Sequence, residues 1–181
     1  KAIIITHIYS FPNDMDKILS ICKNNNILVI EDAAEVLGQS YKNKKCGSFG
    51  DISTFSFYAN KQITTGEGGM VSMNSEKLYK KCSSLKNLCF GKVDRFNHDD
   101  IGWNYRMTNI QAAIGCAQID KIDKILTLKR NIDSVYRLEL KKYVEFQKIK
   151  QNYISSHWMT SILFENYETK KNIEKQLKKN S

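Results

Sequence analysis

One lysine in this lysine-rich chain sits in a setting suited to chemistry. Lys61 lies in "FSFYANKQITTGEGGM", where a strand-like run passes into a loop of threonines and glycines. Ser56 stands five residues before it, and Gly66, Gly68 and Gly69 surround Glu67 just after it. Twenty-nine residues upstream, Asp32 closes a strand-like run inside "EDAAE", with Glu35 at the end of the same stretch. An amine that loses its hydration sheds its proton more readily and can attack an aldehyde. A carboxylate at the mouth of a buried sheet is little screened and can hold a positive charge opposite it. Taken alone, Lys61 reads as surface charge, and the alternative for Asp32 is a cap of the next helix.

The elements that must carry these residues follow from pattern. "AIIIT" at 2–6 and "ILVIED" at 27–32 are apolar, β-branched runs of buried-strand length. Between them, Met15, Ile18, Leu19 and Cys22 share one helical face, with Asp14 as N-cap. Strand, helix and strand within about thirty residues make a βαβ unit and favour a parallel α/β sheet, whose ligands sit at the carboxyl ends of the strands. "ISTFSFY" and "GMVSM" supply a third and a fourth strand. Asn74 or Ser75 caps a helix expected to reach about Cys89. Thr108 and Gln111 form a T-x-x-Q capping box opening one long helix to about Tyr143. Its expected apolar face is Ile110, Ala113, Ile114, Ala117, Ile122 and Ile125. "SSHWMTSILF" reads as a further strand, and residues 168–179 as a last, charged helix.

Other motifs fail on spacing. The third glycine of G-x-G-x-x-G would fall at Val71, "FGKV" lacks the remainder of a P-loop, and "CGSFG" is out of register for a nucleophile elbow. His7, His98 and His157 share no metal-ligand spacing, and "HDD" at 98–100 reads as a solvated loop, so no metal is expected. Five cysteines without a C-x-x-C pair suit a reducing compartment. A net charge of +9 invites nucleic acid. Only Arg95, Arg106, Arg130 and Arg137 are arginines, however, and the lysines are mixed with acids, so a solvated surface is the better reading. The apolar runs are too short to cross a membrane.

Three stretches in order, "IEDAAEVLGQSY", "GSFGDISTFSFYANKQITTGEGGMV" and "GWNYRMTNIQAAIGCAQID", resemble the DegT/DnrJ/EryC1/StrS sugar aminotransferases, which use pyridoxal phosphate. The resemblance is dense to about residue 130 and continues in "SSHWMTSILF". It implies a fold-type I large domain, α/β with a mixed, mostly parallel sheet flanked by helices, and the start of a small α+β domain. The expected division is 1–145 and 146–181.

The resemblance implies that Lys61 forms the Schiff base and moves the proton, and that Asp32 keeps the pyridine nitrogen charged. It also places Glu35 near the phenolic oxygen, Ser56 at the phosphate, and Asn104 across a homodimer interface at the neighbour's phosphate. Arg106 stands as a further candidate for substrate or phosphate. The implied reaction moves the amino group of L-glutamate to a 4-keto-6-deoxy nucleotide sugar, in the manner of the GDP-sugar branch of the family, in the cytoplasm. UDP- or dTDP-sugar amination in the same family is the alternative, and a basic binding module is the rival outside it. The dehydratase branch carries histidine where Lys61 stands. The family's ring-stacking residue and phosphate turn precede the matched region, so the chain is expected to be a piece of a longer protein and weak or inactive by itself.

Overall fold

The computed structural model describes residues 1–148 and 151–180. Three residues of the expected second division, Ile149, Lys150 and Ser181, lie outside the described residues. In chain order the elements are β1 (Ala2–Thr6), α1 (Met15–Asn24), β2 (Leu28–Asp32), β3 (Ser40–Tyr41), β4 (Lys44–Lys45), β5 (Ile52–Ser56) and β6 (Gly69–Met73). There follow α2 (Glu76–Leu85), α3 (Asn109–Ile119), α4 (Ile122–Leu140), β7 (Glu145–Phe146), β8 (Tyr153–Ile154), β9 (Ile162–Leu163) and α5 (Tyr167–Asn180).

The main sheet runs β1-β2-β5-β6. The first three strands are parallel, with Thr6 opposite Asp32 and Asp32 opposite Thr54; β6 returns antiparallel, with Gly69 opposite Ser56. The carboxyl ends of β1, β2 and β5 therefore open on one edge, and Ser56 projects two residues past the level of Asp32. Helix α1 starts where expected because the Asp14 side chain accepts the Lys17 N–H, a cap worth about 1 kcal/mol. Its Met15 and Cys22 are buried with Ile5, Val29, Ala33, Val36, Tyr41 and Cys46 in the core.

The sheet is less enclosed than the apolar runs suggest. Ile5 and Val29 are buried, but Ile4 is 67% and Leu28 54% exposed. Successive side chains of a strand face opposite ways, and Ile4 and Leu28 share the face turned away from Ile5 and Val29, which pack with α1.

Three expected elements are shorter than periodicity indicates. The helix after Ser75 stops at Leu85, because Leu88 and Cys89 take positive φ and the Cys89 N–H folds back to Ser84 O at 2.9 Å. The single long helix is two: Lys121 leaves helical geometry (φ −109°, ψ 9°), and its N–H bonds to Gln118 O, three residues back. The face expected to bury does not do so, with Ile110 76% exposed. Helix α3 docks instead through Gly115 and Gln118 on the loop after Lys61, where a Cβ on Gly115 would stand 3.1 Å from Thr65 Cγ2. Of "SSHWMTSILF", only Ile162–Leu163 is strand. His157 takes φ 47°, and the preceding residues are drawn into side-chain hydrogen bonds with the first half of the chain.

Candidate active site

Glu31 and Asp32 end β2 on opposite faces. The Glu31 carboxylate is fully buried and accepts hydrogen bonds from His7 Nε2 (2.8 Å), the backbone N–H groups of Gly47, Phe49 (2.9 Å) and Gly50 (3.1 Å), and Ser53 Oγ (3.3 Å). The Asn13 N–H donates to His7 Nδ1 at 3.2 Å, which leaves Nε2 as the ring nitrogen that donates to Glu31. Burial opposes ionisation of Glu31, but the donors from His7, Gly47, Phe49 and Gly50 prevail and hold it below the usual carboxylate range. This pocket ties the 46–50 turn beneath the sheet. Gly47 sits at φ +88°, where a Cβ would come within 2.1 Å of Phe55 Cζ, so a side chain there has neither a comfortable backbone nor room.

Asp32 is half-buried at the sheet mouth. Its Oδ1 accepts the Ala34 N–H at 3.1 Å, and Oδ2 has no hydrogen-bond partner among the described residues. The residues after it form a turn, not the helix that Asp32 was alternatively expected to cap. One carboxylate oxygen is thus held and the other is free to face a cationic group.

Ser56, also half-buried, accepts the Tyr58 N–H at 3.3 Å, which leaves its hydroxyl proton available to a phosphate oxygen. Lys61 follows a turn closed by its own N–H to Tyr58 O at 3.0 Å. Its Nζ lies 3.9 Å from the centre of the Trp158 ring and makes no ion pair among the described residues.

The loop beyond Lys61 is fastened to the rest of the fold. Thr64 exchanges two bonds with Gln118 of α3: its N–H to Oε1 at 3.0 Å, and Nε2 to its carbonyl at 2.6 Å. Gln111 Nε2 donates to Glu67 O at 3.0 Å while its Oε1 completes the capping box with Thr108. Gly68 takes φ +142° beneath Thr65 and donates nothing by side chain, in keeping with a turn behind the lysine. The Glu67 carboxylate makes no bond among the described residues, and the backbone of that residue is what the loop uses.

The other expected site residues are placed differently. Glu35 is half-buried, and its Oε2 accepts the Tyr9 N–H at 2.6 Å. Its carbonyl receives Gln62 Nε2 and Ser156 Oγ, each at 3.3 Å. Asn104 is exposed, pairs with Asn87 through an isolated bridge, and contacts none of Asp32, Ser56 or Lys61 within the chain. Arg106 is exposed. Among the described residues no three His, Cys, Asp or Glu side chains gather as a metal site, and no helix is long and apolar enough to cross a membrane.

Asp32 ends β2, Ser56 ends the neighbouring β5, and Lys61 lies in the loop that follows β5. The sequence profile of the DegT/DnrJ/EryC1/StrS aminotransferase family matches residues 1–181. The chain belongs to that family. It is 44% identical to the GDP-perosamine synthase of Escherichia coli O157:H7 over 177 residues, covering 98% of this chain and 49% of that protein. It is 43% identical to the Vibrio cholerae GDP-perosamine synthase, covering 91% and 45%. Among solved structures, the Helicobacter pylori PseC, an aminotransferase involved in the biosynthesis of pseudoaminic acid, superposes with a TM-score of 0.91 at 30% identity, over 99% of this chain and 50% of PseC. A Brucella abortus member of the family gives 0.85 at 27% identity, over 93% and 45%. The fold is therefore the fold-type I aminotransferase large-domain architecture expected. The chain spans about half the length of the curated relatives it matches.

Sequence reasoning missed Trp158, Ser156 and Gln118. The first two lie in a stretch read as plain strand, and the third on a helix face judged only for apolar periodicity. A glutamine on an otherwise apolar stretch of helix, "AAIGCAQI", was the available signal for Gln118.

Proposed function

We propose that the full-length protein carrying this chain is a pyridoxal-phosphate-dependent aminotransferase. In this reading it moves the amino group of L-glutamate to a 4-keto-6-deoxy nucleotide sugar, as in GDP-perosamine synthesis, within the cytoplasm. The observation that supports the reading is the placement of Asp32 and Ser56 at the carboxyl ends of two adjacent parallel strands, with Lys61 in the loop that leaves the second.

The residues fit the cofactor. Bound there, pyridoxal phosphate supplies the electron sink for breaking a bond at the amino carbon. Asp32 offers Oδ2 to a protonated ring nitrogen while the Ala34 N–H keeps its carboxylate oriented. Ser56 donates its hydroxyl hydrogen to phosphate. Lys61 would provide the amine that holds the cofactor and, when free, a group able to carry a proton at the reacting carbon. Glu35 lies toward the same edge with one oxygen engaged by Tyr9, leaving the other for the cofactor's phenolic side. Asn104, exposed and remote within its own chain, is assigned to the phosphate of a second subunit in a homodimer with shared sites. Residues 1–145 are taken as part of the large domain and 146–181 as the start of the small one.

The test is spectroscopic. Added pyridoxal phosphate should give the full-length protein a visible band from lysine-linked cofactor, absent from Lys61→Ala. A band that persists in Lys61→Ala contradicts the assignment. Salt-sensitive DNA binding without any such band would favour a basic binding module. Amination assays with GDP-, UDP- and dTDP-linked 4-keto sugars and L-glutamate then separate the substrates.

A further inference from the structure

Lys61 is flanked by two residues that grip the same distant segment. Asn60 O accepts the Trp158 Nε1–H at 2.9 Å, and Gln62 Nε2 donates to Ser156 Oγ at 3.0 Å. Between those two bonds, the Lys61 ammonium lies over the Trp158 ring. The indole is itself fixed from several sides. Its backbone N–H donates to Ser10 Oγ at 2.8 Å, its carbonyl receives Lys129 Nζ at 3.4 Å, and the Tyr9 ring stacks with it at 6.4 Å and 16°. Ser156 Oγ also meets Ser10 Oγ at 3.2 Å. Tyr9 and Ser10 hold positive φ (49° and 60°), and neither is glycine; strained backbone persists where surrounding bonds over-determine it. Trp158 is 8% exposed, so little water competes for the cation.

We propose that Trp158 is a positioning residue for Lys61, its indole face receiving the free ε-ammonium whenever that lysine is not covalently linked to an aldehyde. The inference rests on the aminotransferase reading of Lys61. In an amino-transfer cycle the lysine must leave the cofactor and later return, and a free cation needs a resting place. With no carboxylate paired to Nζ among the described residues, the ring face supplies that place. Tryptophan binds cations better than phenylalanine does, and the contact strengthens when desolvated. The ring stabilises free Lys61 and therefore opposes its linkage, favouring release. An acid in its place would hold the ammonium far more firmly.

The direction of the effect separates this role from simple support. In the full-length protein, Trp158→Leu keeps apolar bulk and loses the ring. At sub-saturating pyridoxal phosphate, borohydride trapping followed by peptide mapping reads the fraction of Lys61 linked. Trp158→Leu should bind the aldehyde at Lys61 about fivefold more tightly than wild type, and Trp158→Phe should fall between. If the ring only supports the loop, Trp158→Leu traps the same amount or less, and the inference is overturned. A second readout needs no cofactor: Lys61→Met should shift the tryptophan emission of the full-length protein, and should not shift it in a Trp158→Phe background. Unchanged emission means that no ammonium rests on the ring, which also overturns it. Absence of trapping at Lys61 in wild type itself is a different result, which removes the aminotransferase reading and this inference with it.

Discussion

Glu31 and Asp32 are neighbours in β2, yet one carboxylate is saturated with donors and the other keeps an oxygen free. Strand alternation sends Glu31 under the sheet to His7, Ser53 and the 47–50 backbone, and leaves Asp32 at the mouth with Ala34 alone. The first holds the fold, and the second is available for chemistry.

Glu31→Gln should therefore cost stability while Asp32→Asn should not. Replacing Glu31 turns a charge-accepting pocket into one with an extra donor facing donors, for a loss of about 3 kcal/mol by denaturant unfolding. The pH dependence has a definite sign. Glu31 ionises below its ordinary value of 4.5 in the folded protein, so its contribution is complete above that value and is lost as pH falls through the folded one. Glu31→Gln should flatten this acid limb.

Asp32→Asn keeps an oxygen for the Ala34 N–H, so the unfolding midpoint should move little. Amino-transfer kcat should fall by about two to three orders of magnitude, the scale of losing a preorganised charge partner. A kcat near wild type would remove Asp32 from the site.

Gly47→Ala places a methyl at φ +88° and against Phe55. A loss of about 2 kcal/mol or more is expected in thermal or denaturant unfolding. Because Gly47 N–H also serves Glu31, the double variant with Glu31→Gln should lose less than the sum of the two.

Gln118→Ala removes both clamps between α3 and Thr64. About 1–2 kcal/mol should be lost, and hydrogen exchange at the amides of residues 64–68 should quicken more than in β1. Equal protection of the two regions would show that Gln118 does not hold the loop.

The four main strands as segments, the βαβ unit, the caps at Asp14, Ser75 and Thr108, and the lysine loop were legible because each depends on local pattern or a short motif. The break at Lys121 was not, since "QIDKID" keeps helical periodicity through a residue whose backbone turns aside. Ser156 and Trp158 were illegible for a different reason. Their partners Ser10, Asn60 and Gln62 lie about a hundred residues or more away, and no periodicity reports a bond across that separation. Asp32 and Lys61 were singled out through the family motif, whereas the separate role of Glu31, one residue away, shows only in its burial and hydrogen bonds.

The central claim is that Lys61 is the residue that binds an aldehyde cofactor. The most direct measurement is borohydride reduction of the full-length protein with pyridoxal phosphate, followed by mass mapping of the modified peptide. A single dominant phosphopyridoxyl group on Lys61, lost in Lys61→Ala, is the expected result. Modification spread evenly over surface lysines, or unchanged in Lys61→Ala, would contradict it.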